Sequence, residues 1–526
     1  MVADTERPLL QRTWLLITAE AVVAFAACLI LPLLMSQAPF NPLKRTGQVS
    51  GLATIQIGFI VCGLGLVALL LIARRWREGK YFDLVTRLSS AAIAGLASGF
   101  LAAGATLALL GTPWPMFGLN GDSGRIVEWS AAIVDGKVVE DIYPPLPLYT
   151  LGYFAEIFHD GNTAYAFKDL QILGAAVTGP LAYLAWRMVL SPLWALAVGV
   201  LPASAFMDSY KPYGQTILIV LLPVLAAFFA TLRRTGTQDW KPVLLKGFGF
   251  GLLFSAMFLT YSGWFIWAAL GSVVAAALLF PWKTGPLKGL AYLGTALATF
   301  LLLCGWYLEN LLRSNAKDRA FGFDAYTDPA YFNMWRTDMP GEVPQWPPPG
   351  EFGGVHLFTI VLFVGLGISI WLGIKRSVVI TAVCVFASAW LLRLWYASHM
   401  FSTGTVQLWP RTSNQLLYAG MVLCALAILL IYRQLKDKPV LQNGMRSSAV
   451  VGAVCGLLML FGSVMSSMAD RYMPAKDNTY KILPWVSHTV TQLDGSCPKF
   501  APNGQCSKDG DQSWQQMFAP GNQGEQ

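Results

Sequence analysis

The sequence predicts an all-α polytopic membrane protein with about thirteen (11–13) transmembrane helices. Three observations carry that expectation. Only 13% of the 526 residues are charged, against about 25% in a soluble domain. Mean hydropathy is +0.51. Apolar runs of roughly 20 residues, long enough to cross about 30 Å of hydrocarbon, recur along the whole chain between short charged connectors.

The runs fall at about 13–35, 52–73, 88–111, 169–189, 191–208, 214–232, 246–262, 264–281, 288–308, 355–374, 377–398, 414–432 and 447–467. Those within 191–232 and 246–281 are short and close together, so the count is loosest there. No small-residue cleavage site closely follows the first run, which reads as a retained helix and not a removed signal peptide.

Basic residues set the expected orientation. Arg7 and Arg12 precede the first run. Arg74, Arg75, Arg77 and Lys80 follow the second, and Arg233, Arg234, Lys241 and Lys246 lie between the sixth and seventh. Lys375 and Arg376 follow the tenth, and Arg433, Lys436 and Lys438 the twelfth. Thirteen crossings put all of these on one side, which the positive-inside rule makes cytoplasmic. The N-terminus is then cytoplasmic and the C-terminus extracytoplasmic. Most of the 29 acidic residues fall on the outer side of this map. The net charge of +8 therefore reflects an inner face suited to anionic lipids and implies no nucleic-acid partner.

The expected division is a transmembrane domain over 1–467 and a short extracytoplasmic tail over 468–526. The domain carries two long outer loops, 112–168 and 309–354. Loops of that length in a compact protein are usually functional, which directs attention to the outer face. Cys28, Cys62, Cys304, Cys384, Cys424 and Cys455 sit in apolar runs and read as small packing residues. Cys497 and Cys506 stand in the polar tail, where an oxidising space favours a disulfide between them.

Loop 112–168 opens with Trp114-Pro115-Met116-Phe117-Gly118-Leu119-Asn120-Gly121-Asp122-Ser123-Gly124-Arg125. Carboxylates and guanidinium held at a membrane face are costly, so they suggest a site. Arg125, Glu128, Trp129, Ala132 and Ile133 recur at near-helical spacing, which predicts a short interfacial helix. Asp135-Gly136-Lys137 is a turn signal. Pro144, Pro145 and Pro147 break the chain before Leu148–Phe158, a second interfacial or re-entrant helix. It would set Tyr143, Tyr149, Tyr153 and Phe154 at headgroup depth. Loop 309–354 interleaves Phe321, Tyr326, Tyr331 and Trp335 with Asp318, Asp324, Asp328, Asp338 and Glu342. That composition suits sugar stacking or an interfacial aromatic belt, and both readings stay open.

The chemistry centres on Asp122 and Arg125. A carboxylate can serve as general base toward an incoming hydroxyl, and a guanidinium fork matches phosphate oxygens. Lys211, Arg313 and Arg411 stand at outer ends of apolar runs, so Lys211 and Arg411 join Arg125 as candidate donor-phosphate ligands. Tyr143, Tyr210, Tyr261, Glu128 and Asp141 are candidate sugar or acceptor contacts. Glu128, Glu140 and Asp141 also stay open as alternative bases. The bland readings are that such cations snorkel to lipid phosphates and that Asp122 caps a helix starting near Ser123. His159, His356, His399 and His488 are scattered and read as surface residues. No metal-ligand set stands out, no cofactor is required, and a divalent metal stays open.

This layout resembles the GT-C glycosyltransferases, and within them the actinobacterial galactan arabinofuranosyltransferase (AftA-like) family. Ile142-Tyr143-Pro144-Pro145 is similar to its Tyr-Pro-Pro loop. Ala166-Phe167-Lys168 and Tyr183-Leu184-Ala185-Trp186-Arg187-Met188 are similar to its Phe-Lys-Pro-Trp and Trp-Trp-Arg-Met segments. Ser209-Tyr210-Lys211-Pro212-Tyr213, followed by Leu221-Leu222-Pro223, is similar to its Ser-Pro-Glu-Pro-Tyr loop and Leu-Leu-Pro helix. Phe258-Leu259-Thr260-Tyr261 is similar to its Ala-Thr-Trp-Tyr segment. The resemblance implies inverting transfer of D-arabinofuranose from a decaprenyl-phosphate (polyprenyl-phosphate) donor to a glycan or protein acceptor. It also implies a bacterial plasma membrane. Asp122 precedes Arg125 by three positions where the family's acid precedes its Arg by four, and Lys211 replaces an acid. The main rival is a transporter or flippase for a lipid-linked sugar, which requires polar helix interiors. Glu20, toward the cytoplasmic end of the first run, is the main such residue here. A structural subunit of a cell-wall complex is the third reading.

Overall fold

A computed structural model describes residues 13–75, 79–137, 142–314, 357–403, 409–435 and 443–517. The described part is all-helical apart from one isolated bridge, Val490 to Ser507. The chain is an all-α, multi-pass membrane protein. Among the described residues, nine helices contain a segment long and apolar enough to cross a membrane. They are α1 (Thr13–Ser36), α2 (Arg45–Arg75), α3 (Gly79–Ala108), α8 (Pro212–Leu232), α9 (Trp240–Thr260), α11 (Pro286–Arg313), α13 (Ser377–Thr403), α14 (Trp409–Leu435) and α15 (Asn443–Asp470). Three apolar helices are shorter: α7 (Pro192–Ser204), α10 (Gly263–Leu279) and α12 (Leu357–Gly373). The expected run at 169–189 lies in α6 (Thr163–Arg187). Every expected run therefore coincides with a helix. At 1.5 Å per residue, however, α7 reaches only about 20 Å, short of a full hydrocarbon crossing. Its centre, Ala195–Val200, is π-helical. Pro202 follows within one turn and lacks the N–H that an α-helical ladder needs there.

Two further helices lie in the 112–168 loop, α4 (Gly121–Val134) and α5 (Pro145–Phe158). Both coincide with helices expected from the sequence, although α5 begins three residues early. Pro145 and Pro147 fall inside its first turn, where a missing N–H breaks no helical bond. Leu148, Leu151, Gly152 and Ala155 form its buried face. Tyr149, Tyr153, Ile157 and Phe158 are exposed, with Tyr149 and Tyr153 stacked at 6.4 Å.

The chain folds as two compact units. The first comprises 1–139, 147–216 and 441–526, and the second 140–146 and 217–440. In the first unit α3 is the central helix, buried along nearly its whole apolar length. Its sequence, rich in Ala, Gly and Ser, allows backbones to approach closely. A Cβ at Gly95 would lie 2.2 Å from the Ala24 carbonyl oxygen of α1, and one at Gly99 would lie 2.6 Å from that of Cys28. Near one end of this packing sits Glu20 of α1, fully buried. Its carboxylate takes Arg87 of α3 at 2.6 Å, Arg187 of α6 at 2.7 Å and the Tyr183 hydroxyl at 2.9 Å. The buried charge is thus matched by two guanidiniums and ties three helices together.

The second unit is built on aromatic packing. Phe228 of α8 stacks on Tyr292 of α11 at 4.9 Å, and the Tyr292 hydroxyl donates to the Phe228 carbonyl at 3.2 Å. Phe258, Phe265, Phe300 and Tyr307 form a second cluster. Arg393 of α13 is buried and donates to the Thr412 and Ser413 hydroxyls of α14.

Removing one partner of a buried ion pair leaves uncompensated charge, at about 3–5 kcal/mol. Glu20→Ala should therefore lower unfolding stability in detergent by about that amount. An unchanged denaturation midpoint would remove Glu20 from the account of the fold.

Candidate functional site

Asp122 lies in the first turn of α4, where the helix dipole favours a negative charge. It is not the cap. The helix starts at Gly121 and Asn120 holds the N-cap position, two residues before the expected start near Ser123. The Asp122 carboxylate forms an ion pair with the Lys211 ammonium, from the loop between α7 and α8. The side chains are 52% and 30% exposed, so the pair faces outward. Lys211 also lies over the Tyr210 ring at 5.6 Å, a cation–π contact. Arg125 and Glu128 follow at successive three-residue steps along α4, and both are exposed.

Two residues, one buried and one half-buried, hold these loops in register. Gln171 of α6 is fully buried and spans them. Its Oε1 accepts from the Met116 N–H at 2.8 Å and its Nε2 donates to the Tyr210 carbonyl at 2.9 Å. Asp208 Oδ1 accepts from the Tyr210 N–H at 2.6 Å and from the Tyr472 hydroxyl at 2.7 Å. Burial, then the Asp208 charge, push the Tyr472 phenol far above its ordinary range, so it stays a donor.

The tail shapes the segment leading to Asp122. Thr112 donates to the Ser487 carbonyl at 2.6 Å, and the Trp114 indole donates to that of Val490 at 3.1 Å. The Phe117 N–H donates to Leu483 at 2.7 Å, and the Ser487 hydroxyl to Pro115 at 2.5 Å. Phe117 sits at φ +73°, a backbone state that non-glycine residues seldom hold without surrounding support. Its ring meets Trp514 of the tail at 5.0 Å and Tyr210 at 6.4 Å. The expected Cys497–Cys506 disulfide is present in this tail. Asp511 anchors the same tail. Burial alone would raise its carboxyl, but Lys476 at 2.6 Å, Ser513 and the Trp485 indole hold it below the usual range.

His488 corrects the reading of the four histidines as surface residues. It is fully buried, and its Nε2–H donates to the Ala108 carbonyl at the end of α3. Lys168 donates to the neighbouring Leu109 and Thr112 carbonyls at 3.3 and 2.6 Å. Burial above all, with the nearby Lys168 charge, lowers the imidazole to about 4. His159 is also largely covered, with Nε2 3.2 Å from Asp169. His399 is half-buried, with its ring 4.4 Å from that of Trp395. His356, Glu140, Asp141 and the 315–354 part of the second outer loop lie outside the described residues.

The remaining candidates belong to the second unit. Arg411 of α14 lies 5.6 Å from the Tyr261 ring centroid, at the end of α9. The Tyr307 hydroxyl lies 3.2 Å from that of Ser262 and 3.3 Å from the Ile142 carbonyl oxygen. The residues flanking Tyr143 and Tyr261 thus share one neighbourhood. Arg313 pairs with Glu309 one turn earlier. Among the described residues, no group of three or more His, Cys, Asp or Glu side chains is placed to hold a metal ion.

Sequence reasoning found Asp122, Lys211 and Tyr210 but not their mutual contact, and it missed Gln171, Asp208, Tyr472 and Phe117. A glutamine inside an apolar run was the one available signal. The sequence matches no protein-family model, and no curated protein resembles it significantly.

Two outcomes follow from this geometry. Gln171→Met keeps volume but strands the Met116 N–H and the Tyr210 carbonyl, and should destabilise by about 1–3 kcal/mol in denaturation. His488 binds its proton more readily unfolded than folded. Its contribution is therefore fully present above pH ~6.5 and lost as pH falls toward about 4. Thermal midpoints should drop across that window in the wild type and drop less in His488→Gln. Parallel pH profiles would rule the histidine out as the cause.

Proposed function

We propose that this chain is a GT-C-type glycosyltransferase. It transfers a sugar, D-arabinofuranose as the first choice, from a polyprenyl-phosphate donor to a glycan or protein acceptor. The reaction occurs at the extracytoplasmic face of a bacterial plasma membrane. The observation that carries the reading is the Asp122–Lys211 ion pair, half open to solvent and set on loops fixed by Gln171, Asp208 and the tail.

The pair supplies both functions that transfer from a lipid phosphate requires. Donor phosphate oxygens compete with the carboxylate for the Lys211 ammonium, and Arg125 one turn along α4 adds a planar fork. Asp122, released from its cation, accepts the proton of the acceptor hydroxyl. The acceptor oxygen forms the new bond to the anomeric carbon as the bond to the phosphate oxygen breaks. The polyprenyl phosphate departs with the bonding electrons, its charge stabilised by the same cations. One base and no protein nucleophile means one displacement, hence inversion. Tyr210, against Lys211, forms a ring wall for the sugar.

Loss of a general base removes about 10²–10⁴ of rate. Asp122→Asn should therefore lower transfer from radiolabelled polyprenyl-phosphate arabinose by that factor in membranes, with donor binding retained. Equal rates in the two proteins would take Asp122 out of the mechanism. Failure of the wild type to transfer from any lipid-linked pentose would overturn the transferase reading in favour of transport.

A further inference from the structure

A groove in the first unit has no part in the chemistry above. It has a volume of 560 Å³ and runs between α2 and α15, with Phe100 of α3 behind it. Phe59 and Phe100 meet edge to face at 5.7 Å in its wall, and Gly63, Leu458 and Gly462 keep it open. Its lining is apolar save at one end, where the Gln56 amide donates to the Ser466 hydroxyl at 2.7 Å.

The groove lies within membrane-spanning lengths of both helices, so its occupant is a component of the bilayer. Water is disfavoured, because an apolar cavity offers it too few partners. A partner helix is too large. From Cys455 to Ser466 the groove follows α15 for about 16 Å, and a helix about 10 Å wide over that length fills roughly 1,250 Å³. A single flexible hydrocarbon chain remains.

Its polar end points to the candidate site. Ser466 is four residues, about 6 Å, from the end of α15 at Asp470. Tyr472, two residues further, donates to the Asp208 carboxylate that fixes Tyr210 beside Lys211. Charges of both signs gather at this end. Arg45 pairs with Asp470 at 3.3 Å, Arg471 lies on the Tyr480 ring at 3.2 Å, and Lys211 pairs with Asp122. An anionic headgroup there reaches Arg471 and exchanges for the acids of the two solvent-facing pairs, while a long apolar chain meets the lining along the rest.

We propose that this groove binds the hydrocarbon chain of the lipid-phosphate donor, with the headgroup at the Lys211 end. The assignment rests on the proposed function for the identity of the donor. The binding experiment needs no turnover, so the two fail separately.

The test uses the purified full-length chain in detergent and a polyprenyl phosphate carrying a diazirine in its chain. After illumination, mass spectrometry should place adducts on 56–67 and 455–466. Excess unlabelled polyprenyl phosphate should suppress them, and phosphatidylglycerol should suppress them much less. A Cβ at Gly462 meets only the Phe59 ring, at 3.4 Å or more, so Gly462→Leu fills the groove with little other disturbance. It should cut labelling about tenfold, the worth of one displaced apolar segment. Gly456→Leu, where a Cβ meets nothing within 4 Å, should leave labelling unchanged and controls for the fold of α15. Adducts on helices other than α2, α3 and α15, equal competition by phosphatidylglycerol, or undiminished labelling of Gly462→Leu would each overturn the assignment.

Discussion

The end of α3 imposes the constraint on which the candidate site depends. A helix leaves its last carbonyls without partners inside itself, and a buried carbonyl without a donor is costly. Here the donors are side chains from distant parts of the chain. His488 serves Ala108, and Lys168 serves Leu109 and Thr112. That brings the tail and α6 to the same spot, and the loop to Asp122 is then laid against both. Phe117 holds its left-handed backbone because Leu483, Trp514 and Tyr210 surround it. The candidate groups stand on the surface, and the residues that position them are buried or half-buried.

The two charged clusters of the first unit differ for the same reason. Glu20 is sealed among Arg87, Arg187 and Tyr183, and a charge so enclosed is suited to holding helices together. Asp122 and Lys211 share their pair with solvent. Exposed ion pairs contribute little to stability, so Lys211 can exchange one anion for another at small loss. Stability and the proposed chemistry fall to different acids in one unit. The burial of each, and not its residue type, makes the assignment.

The helices were legible because a bilayer makes apolar length compulsory, and each expected run coincides with a helix. α4 was legible from the spacing of Arg125, Glu128, Trp129 and Ile133, and the disulfide from two cysteines standing apart from every apolar run. What sequence could not provide was tertiary. Asp122 and Lys211 lie in different loops, and nothing in either records that they meet. Gln171 showed only as a polar residue in an apolar stretch. His488 was misread because a lone histidine in a polar tail looks solvated, whereas this tail packs against the end of α3. The helix start was displaced from Asn120 because Asp and Asn are both good caps, and only the backbone decides between them.

The docked tail also orders events in time. Phe117 leaves the ribosome long before Leu483, its backbone partner. At about 5–20 residues per second the interval is roughly 20–70 s. Throughout it, the loop bearing Asp122 lacks the contacts that hold its turn, even once the helices before the tail have been made. Sealing of Cys497 to Cys506 comes later still. Assembly of the first unit therefore finishes at the Asp122 loop, and a chain without its tail leaves that loop unsupported.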